Sequence, residues 1–203
     1  MRRLTIIICI LCLLLTGCGR VNVLPRQSDA ADEAILRVVT LSVVEEEYVL
    51  TAVTAGIEVG DGTAAPERME GRGASYVEAR WDLERRHQAA FSHTTDWVVE
   101  RDALAETVRA FLIDPDLAIS ANLYLLDGQT GAEFLDAFSD SERDAAKAMS
   151  GLDKAKNSAS MTVLQAASRL AAGERCSLPA VTAKDGVVDM TGEIECNGLK
   201  ASP

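Results

Sequence analysis

The chain has 203 residues, five cysteines, two histidines and a formal net charge of −11 at pH 7. That acidity excludes a nucleic-acid surface, which works by neutralising phosphates with Lys and Arg. It equally excludes electrostatic attraction to anionic lipid headgroups.

Met1-Arg2-Arg3 precede an apolar run of twelve residues, LTIIICILCLLL, from Leu4 to Leu15. A spanning helix needs about 20 apolar residues. A positive start, a short apolar run and small residues at its end instead describe a secretory signal peptide. The run closes on Leu15-Thr16-Gly17-Cys18, the pattern of a bacterial lipobox, in which the cysteine thiol receives diacylglycerol and cleavage leaves that cysteine as the N-terminus. An ordinary signal peptide with an incidental cysteine is the competing reading. The expected organisation is a lipoprotein signal peptide at 1–17, a tether at 18–34 carrying Pro25, and one folded domain at 35–203. Cleavage removes Arg2 and Arg3 and makes the remainder more acidic still, so attachment to a membrane is expected through diacylglyceryl-Cys18, each buried CH₂ contributing about 0.8 kcal/mol. Cys9 and Cys12 spell a CxxC inside the leader and leave with it. Cys176 and Cys196 remain, an even pair compatible with a disulfide outside the cytoplasm. Two cysteines with no neighbouring histidine fall short of the four ligands of structural zinc, so no metal is expected.

ILRVVTLSVV and YVLTAVTAGIEV are β-branched runs separated by Glu45-Glu46-Glu47, expected as two antiparallel strands. GDGTAAPERMEGRG, with glycines on both sides of Asp61 and Pro66 behind, is expected as a mobile hairpin or connecting loop. No Gly-Lys-Ser/Thr follows it to make a phosphate cradle. SYVEARW is expected as a third strand running into a short helix through DLERRHQAAF, and HTTDWVV as a strand that His93 begins and Glu100 ends. In RDALAETVRAFLID, Leu104, Val108, Phe111 and Leu112 recur at helical spacing, and Asp114-Pro115 stops the helix. LAISANLYLL alternates, with Leu117, Ile119, Ala121, Leu123 and Leu125 on one side. Thr130 with Glu133, and Ser139 with Glu142, have capping-box spacing, so DGQTG reads as a strand-to-helix turn. Helices are expected up to Ala172, the last with Met161, Leu164, Ser168 and Ala171 along one face.

LPAVTAK-DG-VVDMTGEIEC closes the pattern as a hairpin on Asp185-Gly186, with Val188, Met190, Ile194 and Cys196 on its buried side. That turn pairs Lys184 with Val187 and so sets Cys176 opposite Glu195, one residue out of register with Cys196. A bond between the cysteines therefore needs a bulge, which Pro179 or Gly192 can supply. The expected fold class is α+β: a mixed, mainly antiparallel sheet with packed helices in a single domain.

No HExxH, GxSxG or CxxC outside the leader occurs, so no catalytic set and no cofactor are expected. His87 follows Glu84-Arg85-Arg86 on a helix face and reads as solvated, and Trp81 and Trp97 read as core or interface residues.

The stretch FSHTTDWVVERDALAETVRAFLIDPDLAISANLYLLDG resembles the C-subunit lipoproteins of spore germinant receptors, the Ger(x)C family. The resembling elements are Phe91-x-His93, Glu100 leading into a helix, Asp114-Pro115 ending it, and an apolar strand closing at Gly128. The lipobox, the hairpin at 35–59 and Leu178-Pro179 with the strand around Gly192 agree with it. The chain departs from the family in carrying Gly19-Arg20-Val21 where Trp-Asp-Arg is usual, and it matches the family's N-terminal domain only. The resemblance implies a non-enzymatic subunit held on the outer face of the spore's inner membrane. Its partners would be an A-type subunit and a permease-like B-type subunit, contacted around His93, Trp97, Arg101, Glu106 and Arg109. An extracytoplasmic solute-binding lipoprotein or a degenerate enzyme is the alternative. Replacement of Cys18 by Ala is expected to abolish fatty-acid labelling of the chain, whereas labelling retained in that variant would refute lipidation at Cys18.

Overall fold

The computed structural model describes residues 34–54, 58–59, 62–63, 66–114, 116–139, 144–155 and 161–198. The leader, Cys18 and the tether, together with Asp61, Pro115 and Glu142, lie outside the described residues. Strands β1 (Ala34–Val44) and β2 (Glu47–Thr54) form the expected antiparallel hairpin, with Val44 opposite Glu47. Glu45 and Glu46 make the two-residue turn, at φ of 53° and 68°, the left-handed pair that suits a tight hairpin. Glu47 opens β2. A small hairpin of β3 (Glu58–Val59) and β4 (Gly62–Thr63) follows.

The glycine-rich stretch departs from expectation. Its second half is a strand, β5 (Arg68–Gly73), paired antiparallel with β2 from Tyr48 to Val53. The segment expected as a third strand is the helix α1 (Tyr76–His87). Ser75 caps it, its hydroxyl accepting the Glu78 N–H at 3.2 Å. Glu78 in the first turn and Arg85, Arg86 and His87 in the last complement the helix dipole. Gly71 explains why the strand needs glycine: a Cβ there would run into the Ala79 carbonyl and Leu83, so α1 lies directly on the strand backbone.

The chain then adds β6 (Ala89–Ala90) and β7 (Asp96–Val99), both parallel to β1. His93 lies in an exposed turn ahead of β7 rather than in the strand, with the Thr94 N–H bonded to the Phe91 carbonyl at 3.1 Å. A 3-10 turn (Arg101–Ala103) leads into α2 (Leu104–Ile113), and β8 (Asn122–Leu126) runs parallel to β7. Helices α3 (Gly131–Asp136), α4 (Ala145–Ala155) and α5 (Val163–Ala171) precede β9 (Cys176–Lys184), which is parallel to β8, and β10 (Val187–Cys196), which is antiparallel to β9.

The sheet order is β10-β9-β8-β7-β1-β2-β5, with β6 beside the start of β1. The fold is α+β in one compact unit, and antiparallel residue pairs outnumber parallel ones. The antiparallel pairing lies in the two wings. The centre, β9-β8-β7-β1, is parallel, and parallel neighbours need crossover connections that bring helices onto the sheet. They cover both faces: α1, α2 and α5 share one core, α3 and α4 the other. Central strands are consequently apolar on both sides, as Leu123 and Leu125 face the first core and Tyr124 and Leu126 the second. The one-sided alternation expected from Leu117 does not extend through Ile119, which stands half-exposed before the strand begins.

Helix faces also differ from expectation. α2 buries Leu104, Val108 and Phe111 together with Thr107 and Ala110, and leaves Leu112 exposed. α5 buries Val163, Ala166, Ala167 and Leu170, turning Leu164, Ser168 and Ala171 outward. The small side chains of Ala166 and Ala167 let it come close against α2. The Thr130–Glu133 box caps α3 as expected, whereas the Ser139–Glu142 spacing ends on Glu142, outside the described residues, and α4 is described from Ala145. There the Asp144 carboxylate accepts the Lys147 N–H at 2.6 Å. A box that the sequence reading missed, Thr162 with Gln165, starts α5.

Asp185 and Gly186, at φ of 50° and 75°, close the last hairpin with Lys184 opposite Val187. The register slips by one between Met190 and Gly192, so Cys196 lies opposite Cys176. The slip also splits the single buried side expected for β10. Val188 and Met190 pack on the α3/α4 core, Ile194 and Cys196 on the α1/α2/α5 core. Gly71→Ala is expected to cost roughly 1–3 kcal/mol by forcing α1 off β5. Gly151→Ala, in α4 where an added Cβ meets nothing, is expected to gain up to about 1 kcal/mol. Urea denaturation of the two variants checks both signs.

Candidate docking surface

The residues that carry the family resemblance hold the fold together. Phe91 is buried and stacks on Trp97, ring centroids 5.9 Å apart. Trp97 meets Phe111 edge-on at 4.8 Å and Tyr76 at 6.2 Å. Its exposure is nil, so Trp97 is a core residue and not a partner contact. A side chain on a central strand beneath two helices has no route to the surface. Glu100 extends the pairing of β7 with β1, its carboxylate accepting the Val43 N–H at 2.7 Å.

Glu106 is likewise committed internally. Its carboxylate accepts the Tyr76 N–H at 3.1 Å, which puts an anion at the N-terminus of α1. It also faces Tyr48, whose hydroxyl is pushed up to about 12 by burial and then by the hydrogen bond and charge of Glu106. His93, Arg101 and Arg109 are exposed. His93 precedes β7 and Arg101 follows it, so they sit at opposite ends of that strand and are not gathered into one site.

The residue that organises the surface is Arg80. Its side chain is 12% exposed, pairs with the 8%-exposed Asp114, and lies 3.7 Å from Asp116. Nε donates to Glu84 at 2.7 Å, and the guanidinium lies 5.0 Å from the centre of the Phe91 ring. Arg80 thus pins the middle of α1 to the end of α2, and the Asp of the helix-ending Asp-Pro is its anchor. Nothing local in the sequence marks this, because the partners are 34 residues apart.

Next to that pin in the sequence stand exposed apolar side chains. Trp81 follows Arg80 and is 64% exposed, and Ile113 precedes Asp114 and is 82% exposed. Val77, Leu112, Ile119 and Leu164 are exposed as well, and the Leu164 N–H bonds to the Ile119 carbonyl at 3.2 Å. These six lie on α1, α2, α5 and the loop after α2. Beside Trp81 opens a groove of 630 Å³ lined by Arg72, Glu78, Asp82, Glu84 and Arg85. The Asp82 carboxyl is held below its ordinary value by the Arg72 N–H first, then by Arg85 and Arg86. An exposed indole with neighbouring aliphatics and a charged margin has the anatomy of a contact surface.

A second cavity, of 300 Å³, sits where β7 and β8 begin, lined by Arg37, Thr94, Asp96, Ser120, Asn122 and Ser150 among others. Asp96 accepts from the Thr95 hydroxyl at 2.8 Å and from the Asn122 amide at 3.1 Å. Its lining is mainly polar. Among the described residues no group of three or more His, Cys, Asp or Glu is placed to hold a metal, and no helix is long and apolar enough to cross a membrane. No protein-family model, curated protein or solved structure matches the chain.

Arg80→Met and Asp114→Asn are each expected to cost roughly 2–4 kcal/mol, since either strands a nearly buried charge. The double variant is expected to lose less than the sum, with a coupling of at least about 1 kcal/mol in a denaturation cycle.

Proposed function

We propose that the chain is a non-enzymatic, lipid-anchored subunit of a spore nutrient-germinant receptor, of the Ger(x)C type. It would dock with membrane subunits through the open side of the α1/α2/α5 layer. The observation that carries the docking part is the exposure of large apolar side chains on this helix layer, Trp81 and Ile113 above all. Hydration of such a patch is unfavourable, and covering it against a partner recovers about 25 cal/mol per Å². The resemblance between Phe91 and Gly128 carries the family part. A lipid on Cys18 would hold the domain at the outer face of the membrane, where high local concentration lets a modest interface stay occupied. The A-type and permease-like B-type subunits are the partners this reading names.

The polar 300 Å³ cavity favours a second reading, an extracytoplasmic lipoprotein that binds a small polar solute. The two readings part in one experiment. Trp81→Ser with Ile113→Ser is expected to leave circular dichroism and melting temperature in place while lowering crosslinking to a permease-like subunit by about tenfold or more. In a spore-forming host, deletion is expected to slow germination on nutrients and to spare germination by agents that bypass receptors. No membrane partner after crosslinking, together with a melting shift on a small polar solute, would replace the docking reading with the second one.

A further inference from the structure

The base of the last hairpin carries a juxtaposition independent of any reading of partners. Cys176 opens β9 and Cys196 closes β10, and the two are a directly opposed antiparallel pair. Directly opposed residues have Cα atoms about 4.5–5.5 Å apart, inside the roughly 4.4–6.8 Å span of disulfides. Both side chains are 5% exposed and belong to the core under α1, α2 and α5. The thiols are unbonded, and the Cys196 S–H donates to the Ile194 carbonyl of its own strand, at 3.7 Å.

The register that opposes them is made by the irregularity between Met190 and Gly192. Without that one-residue slip, the turn at Asp185-Gly186 would put Glu195 opposite Cys176, and Cys196 would point to the other face of the sheet. The bulge thus has two effects with one geometry: it packs the partly buried Ile194 against that core and it brings Cys196 onto Cys176. Gly192, at φ of 155°, has the backbone freedom that the site requires.

We infer that Cys176 and Cys196 close a cross-strand disulfide, and that the unbonded pair is the reduced form of this staple. The oxidant is a disulfide-bearing thiol oxidant of an extracytoplasmic compartment. One cysteine thiolate attacks its S–S bond and releases a thiolate, forming a mixed disulfide. The second cysteine thiolate then displaces the other sulfur, leaving the Cys176–Cys196 bond. The two protons lost by the cysteines are taken by the two leaving thiolates, and the two electrons go to the oxidant. Burial pushes both thiols above their ordinary pKa, which keeps the reduced pair slow to react with other partners. The bond would tie down β10, which among the described residues is an edge strand with β9 as its neighbour.

The test uses the full chain, incubated with oxidised glutathione, quenched in acid, denatured, alkylated and digested with trypsin without reduction. Cleavage after Arg175, Lys184 and Lys200 puts the two cysteines on separate peptides, CSLPAVTAK and DGVVDMTGEIECNGLK. The expected product is these two peptides joined, their combined mass short of two hydrogens, from monomeric protein. Oxidation is also expected to raise the melting temperature by roughly 6–12 °C, and to leave that of the Cys176→Ala/Cys196→Ala double variant unmoved. Two alkylated peptides, a persistent glutathione adduct or a bond found only between chains would overturn the inference.

Discussion

The structure depends on one aromatic cluster more than on any other interaction. Trp97, on the second of the four parallel strands, touches rings from three directions: Tyr76 from α1, Phe91 from the turn before β7, and Phe111 from α2. Each such ring buries about 150–250 Å², or roughly 4–6 kcal/mol at 25 cal/mol per Å². The Trp97 indole N–H and the Tyr76 hydroxyl are buried without a hydrogen-bond partner among the described residues. Each costs about 1–3 kcal/mol, so burial wins, and aromatic area rather than polar matching decides the centre of the molecule.

The same cluster places the surface. Arg80 lies over Phe91, where the ring face and the Asp114 and Glu84 carboxylates balance its charge. Successive residues along a helix are rotated by about 100°, so with Ala79 buried on one side of Arg80, Trp81 on its other side faces solvent. Ile113 stands in the same relation to Asp114. The exposed indole and the exposed isoleucine are therefore fixed relative to each other by a nearly buried ion pair. In the docking proposed above, residues anchored this way would be preorganised, and binding through them would lose little side-chain and loop entropy.

What was legible in the sequence was local. The hairpin break at the Glu45–Glu47 run, the two-residue turn at Asp185-Gly186, the Thr130 cap and the helix leading to Asp114 each follow from a few neighbouring residues. What was not legible depended on partners far along the chain. β5 is a strand because β2 pairs with it and α1 presses on Gly71, and neither is written in GRG. α5 buries its alanine face because α2 leaves only that much room, which its own periodicity cannot disclose. Trp97 was expected near a partner and is interior, and half-buried Glu106 is tied to the Tyr76 N–H, since a resemblance concentrated on β7 and α2 marks the residues that build the fold as readily as those that meet another protein. The register of Cys196 falls between these cases: counting from the turn showed that a bulge was needed, and the packing of Ile194 shows why it forms.

Sheet edges bear on where association can take place. An edge strand offers unpaired backbone groups to any other strand, and proteins block this with charge and bulges. β10 forms one edge and carries Asp189, Glu193 and Glu195 exposed along it, with the bulge in its middle. β5 forms the other and exposes Arg68 and Arg72, which pair with Asp136 and Glu70. A partner strand joining β10 would have to desolvate three carboxylates, and one joining β5 would have to break two ion pairs. Covering Trp81, Leu112 and Ile113 requires neither and removes apolar surface from water. The physical balance thus favours the helix layer over the sheet edges for the docking proposed above, with Arg80 tying together the helices that carry Trp81 and Ile113.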